Sequence, residues 1–387
     1  MKHLSFIACL FITNVCFSAN HAPKFKPQTI DDTVEIGYGT AIGDVDGDGK
    51  PDILLADKKE FVWYQNPTWK RHVIAENLTE RDNVCIAARD IDGDGKVEIA
   101  VGGQWNPGDT LNSGAVFYLE PPKDRTQLWN PIKLPNQPVV HRMRWVKLGK
   151  NRFALVVSPL HGKGNKKGEG AGVKLIAYEK PTNPKDKWKQ TVIEDTLHVT
   201  HNLDPAQWNP HTEAEEILYA GREGAMLISY DKGEWKKERF PVIEGSGEIR
   251  MGHIAPFNQF ITTIEPLHGD KLVLYQSGTK PTEISGRQVL DENIKAGHAI
   301  ATADLSGNGR QEIVAGWRSP NKDQKVGVKV YWSTDASGKI WKSAWIDENG
   351  MACEDIRLGD LNGDGKIDIV AAGRNSHNLK IYWNQSE

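Results

Sequence analysis

The chain has 387 residues, a formal net charge of −3, 37 glycines and 13 tryptophans. The slightly acidic balance and the lack of a basic stripe with interleaved aromatic residues argue against a nucleic-acid partner. The many glycines and tryptophans fit a chain of short strands joined by tight turns.

The first residues have the pattern of a secretory signal peptide. A basic start precedes an apolar run over residues 4–16, and Ser18 and Ala19 offer a cleavage point. The run is too short to span a bilayer. We therefore predict a signal peptide over residues 1–19, no transmembrane segment, and an exported protein that is periplasmic or secreted.

One acidic motif recurs along the rest of the chain. It begins at Asp44, Asp90 and Asp360, and a worn copy begins at Asp304. Oxygen ligands at the first, third, fifth and ninth positions of such a loop can converge on one hard cation, and its glycines allow the sharp turn. We predict structural Ca²⁺ in the three full copies. The predicted ligands are Asp44, Asp46, Asp48, Asp52, Asp90, Asp92, Asp94, Glu98, Asp360, Asn362, Asp364 and Asp368.

The repeat continues beyond the acidic loops and predicts a closed ring. Seven units of short strands begin near residues 37, 83, 141, 201, 248, 298 and 354. Repeats of this kind bury their faces only against one another. The last unit lacks an outer strand, which residues 27–34 can supply. The sequence predicts an all-β fold, a seven-bladed β-propeller of four-stranded blades over residues 20–387, closed by its N-terminal strand. A six-bladed ring with the fifth unit as an insertion is the alternative.

In such blades the start of the first strand and the end of the second share one face, opposite the acidic loops. Histidine and arginine are frequent at these places. The strand starts carry Tyr38, His141, His201, Arg250 and His298, and the strand ends carry His161, Arg222, Glu265, His268, Arg318 and Arg374. A single histidine there is more often structural than catalytic. Several around one mouth favour a functional site, because grouping them costs stability.

Imidazole and guanidinium groups together suit one class of reaction. A neutral histidine is a general base near neutral pH, a second histidine can be the acid, and an arginine can hold a carboxylate or stabilise an enolate. This set fits β-elimination on a sugar that has a uronic acid or keto group. Two other interpretations stay open. One is a divalent transition metal on His201, His268 and His298, and the other is a non-catalytic glycan-binding or adhesion propeller.

The acidic loops resemble propeller repeats of the FG-GAP or VCBS type. The mouth is similar to the propeller of fungal aldos-2-ulose dehydratase and to the seven-bladed lyases that cleave ulvan. The motifs that carry this likeness are His141-Arg142, Pro159-Leu160-His161-Gly162, Thr200-His201-Asn202, Gly221-Arg222-Glu223-Gly224, Gly247-Glu248-Ile249-Arg250, Glu265-Pro266-Leu267-His268-Gly269 and Gly297-His298. The resemblance implies a dehydratase or lyase that acts on carbohydrate.

The resemblance also implies roles for single residues. In the ulvan enzymes two histidines, a tyrosine and an arginine form the site. His141, His161 and Arg222 match the histidines and the arginine, and we place His201 where a tyrosine counterpart is missing. We therefore expect catalysis by these four residues in a carbon–oxygen lyase. We expect carbohydrate binding by Tyr38, Arg250, Glu265, His268, His298, Arg318 and Arg374. The sequence leaves the oligomeric state open.

Overall fold

The computed structural model describes residues 22–255 and 258–386, which form seven antiparallel sheets of four strands each. The predicted all-β, seven-bladed propeller is confirmed. The predicted signal peptide, residues 1–19, lies outside the described residues. Within the described ranges no helix is long and apolar enough to cross a membrane.

Each of blades 1 to 6 uses four consecutive strands, and the first strands of neighbouring blades contact one another around the axis. The chain begins with β1 (Phe25–Asp31). Blades 1 to 3 contain β2 (Gly39–Gly43), β3 (Asp52–Ala56), β4 (Glu60–Gln65), β5 (Lys70–Glu76), β6 (Cys85–Arg89), β7 (Glu98–Gly103), β8 (Ala115–Glu120), β9 (Asn130–Leu134), β10 (Val140–Gly149), β11 (Arg152–Pro159), β12 (Leu175–Glu179) and β13 (Lys189–Glu194).

The remaining blades follow the same plan. Blades 4 to 7 contain β14 (Thr200–Ala206), β15 (Glu216–Gly221), β16 (Gly224–Asp231), β17 (Glu234–Arg239), β18 (Glu248–Ala255), β19 (Asn258–Glu265), β20 (Lys271–Ser277), β21 (Ile284–Asp291), β22 (Gly297–Ala303), β23 (Glu312–Trp317), β24 (Gly327–Ser333), β25 (Trp341–Glu348), β26 (Cys353–Gly359), β27 (Asp368–Gly373) and β28 (Asn378–Asn384).

The two ends of the chain close the ring. β1 pairs antiparallel with β28, with Gln28 opposite Ile381, and so becomes the outer strand of blade 7. This confirms the predicted closure by the N-terminal strand, although β1 begins and ends a few residues earlier than expected. It ends at Asp31 because that carboxylate accepts hydrogen bonds from the N–H and hydroxyl groups of Thr33, which turns the chain.

The core consists of apolar layers between neighbouring blades. On β3, Leu54 packs in the layer shared with blade 2, whereas Ile53 and Leu55 pack in the layer shared with blade 7. This alternation follows from strand geometry, because successive side chains point to opposite faces of a sheet. Each blade is held by the blades on both sides, and the inner strands are left to line the axis.

The acidic loops follow the ends of inner strands. In the first loop, Asp44 accepts hydrogen bonds from the N–H groups of Gly47 at 2.6 Å and Gly49 at 2.8 Å, and both glycines have positive φ. The carboxylates of the first loop lie together, as do those of the second. These two groups are Asp44, Asp46 and Asp48, and Asp90, Asp92 and Asp94. The arrangement is compatible with the predicted Ca²⁺, which stays a prediction.

The ninth residue of each loop bonds to the backbone. Both carboxylate oxygens of Asp52 accept backbone N–H groups, from Val45 at 2.8 Å and from Asn66 at 2.9 Å. Glu98 and Asp368 accept the equivalent N–H in their own loops. Burial raises the pKa of Asp52 to about 7. These three residues, which we assigned to the metal from the sequence, fix the loops to the backbone.

Candidate active site

Four inner strands carry a β-bulge at the end that lies opposite the acidic loops. In β10 the pairing shifts between Val140 and Arg142, so His141 has no partner in the ladder. The same shift singles out His201 in β14, His298 in β22 and Glu354 in β26. A bulge bends its strand and re-aims the extra side chain. The bulges thus gather four polar side chains at one mouth of the axis.

Histidines from four blades meet at this mouth. The ring centroids of His141 and His201 are 4.6 Å apart, those of His201 and His268 are 4.3 Å apart, and those of His268 and His298 are 4.8 Å apart. His141 also stacks on Trp105 at 5.0 Å. His268 is the exposed member, whereas the other three histidines are buried. The structure brings together four of the residues expected at the mouth.

Hydrogen bonds fix the orientation of two of these imidazoles. His201 Nδ1–H donates to the Gly247 carbonyl at 2.8 Å, and His298 Nδ1–H donates to the Glu354 carbonyl at 2.6 Å. In a neutral ring the other nitrogen, Nε2, then carries a lone pair. One nitrogen each from His201, His268 and His298 lies within 4.8 Å of the other two. Imidazoles held by outer hydrogen bonds in this way are a donor set that divalent transition metals prefer.

The buried imidazoles are held in the neutral form. Burial is the main reason that the pKa of His141, His201 and His298 lies well below its usual value, and nearby arginine charges lower it further. Burial and the neighbouring His201 also lower the pKa of His268. Within residues 22–255 and 258–386, neither ring nitrogen of His141 has a hydrogen-bond partner. A neutral imidazole without a partner can accept a proton from a substrate group that reaches it.

The contacts continue from His298 to two arginines. The Glu354 carboxylate lies 3.8 Å from His298 Nε2 and accepts hydrogen bonds from Arg318 at 3.4 Å and Arg374 at 3.5 Å. The Arg374 guanidinium in turn lies over the ring of Tyr38, 5.4 Å from its centroid. This is a cation–π contact, and it connects blade 7 to the start of blade 1.

Tyr38 completes a closed set of contacts around the mouth. Its hydroxyl donates to Asp82 at 3.1 Å, and the Trp105 N–H donates to the Asp82 carbonyl at 2.9 Å. Burial, followed by the charge of Asp82, raises the pKa of Tyr38, so the phenol stays protonated at neutral pH. We call this set the mouth ring. It consists of Tyr38, Asp82, Trp105, His141, His201, His268, His298, Glu354 and Arg374.

Two residues expected to be catalytic lie beside the mouth ring. Arg222 Nη2 donates to the Gly168 carbonyl at 2.8 Å, so this guanidinium holds the loop that follows β11. His161 lines a cavity of about 340 Å³ between that loop and residues 107–111. Burial and the Arg222 charge lower the pKa of His161. Arg222 and His161 therefore contact the loop that follows β11, whereas His141 and His201 contact each other.

Two residues expected to bind substrate point elsewhere. The Glu265 carboxylate accepts hydrogen bonds from Thr263 at 2.8 Å, Tyr275 at 2.6 Å and Arg287 at 2.9 Å, all within its own blade. Arg250 is buried in the channel, where its Nε lies 3.5 Å from Asp204. Counting residues along the strands places Arg250 on an inner strand and Glu265 at the end of a second strand, as expected. The count does not give the direction in which each side chain points.

The sequence reasoning did not assign a role to several residues that organise the site. Glu354 stands at a strand start but was not selected, although it joins His298 to both arginines. Glu248 Oε1 lies 3.1 Å from His201 Nδ1 and so supports that ring. Asp82 and Trp105 connect Tyr38 to His141. For Glu354 and Glu248 the strand-start position was the available signal, whereas Asp82 and Trp105 gave none.

Comparison with known proteins supports the motif likeness. A model of the aldos-2-ulose dehydratase β-propeller domain matches residues 113–278, and a model of FG-GAP-like repeats matches residues 25–101 and 304–371. The chain resembles the aldos-2-ulose dehydratase propeller. Aldos-2-ulose dehydratase of Phanerodontia chrysosporium is 24% identical over 288 residues, which are 66% of this chain and 31% of the relative. The chain thus spans about a third of the length of that relative. The range matched by the propeller model, residues 113–278, includes His141, His201 and His268.

Solved structures share the architecture at low sequence identity. A chain of the mitotic checkpoint complex has a TM-score of 0.58 at 11% identity and covers 100% of this chain and 99% of its own length. YCF48 bound to D1 peptide has a TM-score of 0.53 at 12% identity and covers 94% of this chain and 98% of its own. These likenesses concern the propeller fold alone, whereas the likeness to the dehydratase propeller also concerns sequence.

Proposed function

We propose that this chain is a carbohydrate-active lyase or dehydratase that works by β-elimination on a uronic acid or keto-sugar. One observation carries the proposal: neutral imidazoles converge with a protonated tyrosine and two arginines at one mouth. A non-catalytic glycan site needs aromatic platforms rather than a group of imidazoles, which is costly to assemble. The sequence similarity to a sugar dehydratase supports the same chemistry.

We further propose that His201, His268 and His298 hold a divalent transition metal. Their nitrogens converge, and backbone carbonyls keep two of the three rings in the tautomer that can ligate. The exposed position of His268 leaves this side of the group open to a ligand. Such an ion, when bound, supplies a positive charge that polarises a sugar carbonyl.

His141 is the proposed base. It is neutral, and it has no hydrogen-bond partner among residues 22–255 and 258–386. Its ring contacts His201, which in turn contacts His268 and His298. In the reaction it takes the proton from the carbon beside the carbonyl, and the C–H electron pair enters the enolate. The C–O bond one carbon further then breaks as the new double bond forms. The departing oxygen needs a proton, and Tyr38 is the proposed donor because its raised pKa keeps it protonated.

Arg318 and Arg374 are proposed to position an anionic group of the substrate. Their contacts with Glu354, at 3.4 and 3.5 Å, are long for charge-assisted hydrogen bonds, so guanidinium donors remain for a ligand. The side chain of Arg374 is 36% exposed. A planar guanidinium fork matches the geometry of a carboxylate, which favours a uronate over a neutral sugar.

Two proposals concern the setting of the enzyme. The first is that the acidic loops at Asp44, Asp90 and Asp360 bind Ca²⁺, which would stabilise the blades without entering the reaction. The second is that the protein is exported, and it rests on the signal-like pattern of residues 1–19.

The decisive experiment follows the new double bond. Purified protein is offered uronic acid polymers and keto-sugars, and the ultraviolet absorbance of a double bond conjugated to a carbonyl is recorded. We expect an absorbance rise with at least one substrate class and a much slower rise with His141→Gln. Binding of these sugars without any new absorbance, in protein reconstituted with divalent metals, would favour the glycan-binding alternative.

A further inference from the structure

The channel below the mouth ring carries a second set of charges. On an inner strand, alternate side chains face the axis. Below the bulges, β10, β14, β18 and β26 therefore direct a second layer of charged side chains inward. This layer consists of Arg144, Asp204, Arg250 and Arg357, and we call it the channel layer. It contains three guanidinium groups and one carboxylate.

Two of these arginines have carboxylate partners. Arg250 Nε lies 3.5 Å from Asp204, and Arg357 Nη1 donates to Asp355 at 2.9 Å. Arg144 differs, because its Nη1 donates to the carbonyl of the adjacent Met143 at 2.8 Å. Among residues 22–255 and 258–386, no carboxylate lies within 4.0 Å of the Arg144 guanidinium nitrogens. One cation in the channel layer is therefore left without an ion pair.

Leaving a guanidinium in this condition costs stability. A charge removed from water is normally compensated by a partner of opposite sign, because desolvation of an unpaired ion is expensive. Burial, followed by the Arg357 charge, lowers the pKa of Arg144, which agrees with a site that disfavours another positive charge. Asp355 and Asp204 compensate part of this charge from beyond 4.0 Å. Water or a bound anion can supply the direct partner that Arg144 lacks.

The channel layer lines a cavity large enough for such an anion. The cavity has a volume of about 530 Å³, and all four residues of the layer line it. It reaches Gln207 and Leu358 at the far ends of the inner strands, on the side of the acidic loops. No histidine of the mouth ring lines it. On its wall, Arg89 is already paired with Glu215 through two hydrogen bonds of 2.8 and 2.9 Å.

We propose that this cavity is a second binding site, separate from the mouth ring, which takes a small oxyanion with a carboxylate or phosphate group. Arg144 supplies the free guanidinium fork, since its planar donors match two oxygens of such a group. Arg357 and Arg250 add positive charge on the same layer. A carboxylate fits a product of uronate metabolism, and a phosphate fits a free metabolite, so both chemistries are tested.

The test is calorimetric titration of the whole purified protein with sodium phosphate and with sodium glucuronate, in chloride buffer of matched ionic strength. We expect one saturable site for at least one of the two anions. The anion that binds more tightly shows whether the natural ligand carries a carboxylate or a phosphate group. Arg144→Met should weaken that binding roughly ten- to a hundredfold, because a hydrogen-bonded charge is lost. Arg152→Met is the matched control. Arg152 lies on the neighbouring strand β11, where it pairs with Glu179 on the exposed face, and its loss should leave binding unchanged.

Further measurements separate a loss of anion binding from a loss of folding and from an effect of the mouth ring. Arg144→Met should melt at the same or a higher temperature than wild type in anion-free buffer, because it removes a half-buried charge that has no direct ion pair. His298→Ala should retain anion binding if the site is separate from the mouth ring. If Arg144→Met does not fold, selenate soaked into wild-type crystals should give an anomalous peak beside Arg144. The proposal is overturned by the absence of that peak, by no saturable binding of either anion, or by equal binding in folded Arg144→Met.

Discussion

The Nε2 atoms of His201 and His268 lie 2.5 Å apart. His201 Nδ1 already donates to a backbone carbonyl, so its Nε2 carries a lone pair in the neutral ring. The space between the two nitrogens holds a proton donated by His268. A divalent metal bound by both would require His268 to move away from His201, because metal–nitrogen bonds of about 2.0–2.1 Å place two ligand nitrogens roughly 3 Å apart. The nearby nitrogen of His298 offers such a metal a third ligand.

Metal content tests this arrangement directly. We expect about one divalent transition metal ion per chain after purification or reconstitution, as expected for three imidazole ligands. His298→Ala should lose most of it, because a ligand is removed. Glu248→Gln should weaken metal binding roughly 10- to 100-fold, because Glu248 supports the His201 ring from outside. Elemental analysis after dialysis measures all three proteins.

His253→Ala is the control for metal binding. His253 lies on β18, and its backbone groups bond to Gln311 at the far end of the channel. It should keep the metal of the wild type. Equal metal content in His298→Ala and wild type would rule out the proposed ligand set.

Turnover should depend on His141 and Tyr38. His141→Gln removes the proposed base and Tyr38→Phe removes the proposed acid. Each should lower kcat by about 10²- to 10⁴-fold, the usual contribution of general acid–base catalysis. The measurement is the initial rate of double-bond formation on the best substrate, with melting temperatures to show that the fold is intact.

His161→Ala and Arg222→Lys test whether the catalytic base is His141 or lies at the loop that follows β11. The sequence assigned both residues to catalysis, whereas the structure places them at the loop beside the mouth ring. We expect them to raise KM more than they lower kcat, because they shape the approach to the mouth. A larger kcat loss in His161→Ala than in His141→Gln would move the base from His141 to His161.

The fold could be predicted because its signals are local and repeated. The acidic loops at Asp44, Asp90 and Asp360 mark the same turn in three blades, and the apolar strands after them fix the period. The closing strand was predictable because blade 7 has three strands of its own and a spare segment precedes blade 1.

The site was predicted only in part because β-bulges do not appear in a sequence. Alternation along β10 would place His141 and Arg142 on opposite faces, yet the bulge turns His141 into the mouth. At Glu265 the strand pairs regularly, so its side chain faces Tyr275 and Arg287 within the blade. Whether a residue at the correct end of a strand faces the axis therefore depends on a register shift that sequence counting cannot supply.

The buried histidines of the mouth ring should contribute a loss of stability as the pH falls. The pKa of His141, His201 and His298 is lowered in the folded state, so the unfolded chain binds more protons once the pH drops below about 6.5. The histidines should therefore lower the melting temperature between about pH 7 and pH 5, whereas Asp52 and Glu98, whose pKa values are raised to about 7, act in the opposite direction. His141→Gln should decline less steeply because it has one fewer group that titrates. Parallel declines in the two proteins would show that His141 is protonated in the folded state.

Ca²⁺ should stabilise the propeller without changing turnover. A ligand that binds only the folded state raises stability with its concentration. We expect EGTA, a calcium-selective chelator, to lower the melting temperature, and added Ca²⁺ to restore it. Asp44→Ala should reduce this response more than Asp304→Ala, because Ser306 and Asn308 replace two carboxylates in the worn loop. If EGTA leaves the melting temperature of the wild type unchanged, the loops hold no calcium that matters for stability.

The closure of the ring should depend on Tyr64. Its hydroxyl donates to Asp31 at 2.5 Å, which ties blade 1 to the end of the closing strand β1. Tyr382 and Asp347 make the equivalent link between blades 7 and 6 at 2.7 Å. Tyr64→Phe leaves a partly buried carboxylate without this donor, which should cost about 1–3 kcal/mol. Tyr382→Phe should cost a similar amount if the closing junction behaves like an ordinary one.

Urea unfolding, monitored by tryptophan fluorescence, measures both variants. Tyr230→Phe is the control, because Tyr230 packs against Trp235 on the outside of blade 4, and its loss should change stability by less than about 0.5 kcal/mol. A much larger loss in Tyr64→Phe than in Tyr382→Phe would mean that the closing junction is the weakest in the ring, because the same missing hydrogen bond then opens it first. A loss in Tyr64→Phe no larger than that of the control would show that the β1–β28 pairing holds the ring without the tyrosine.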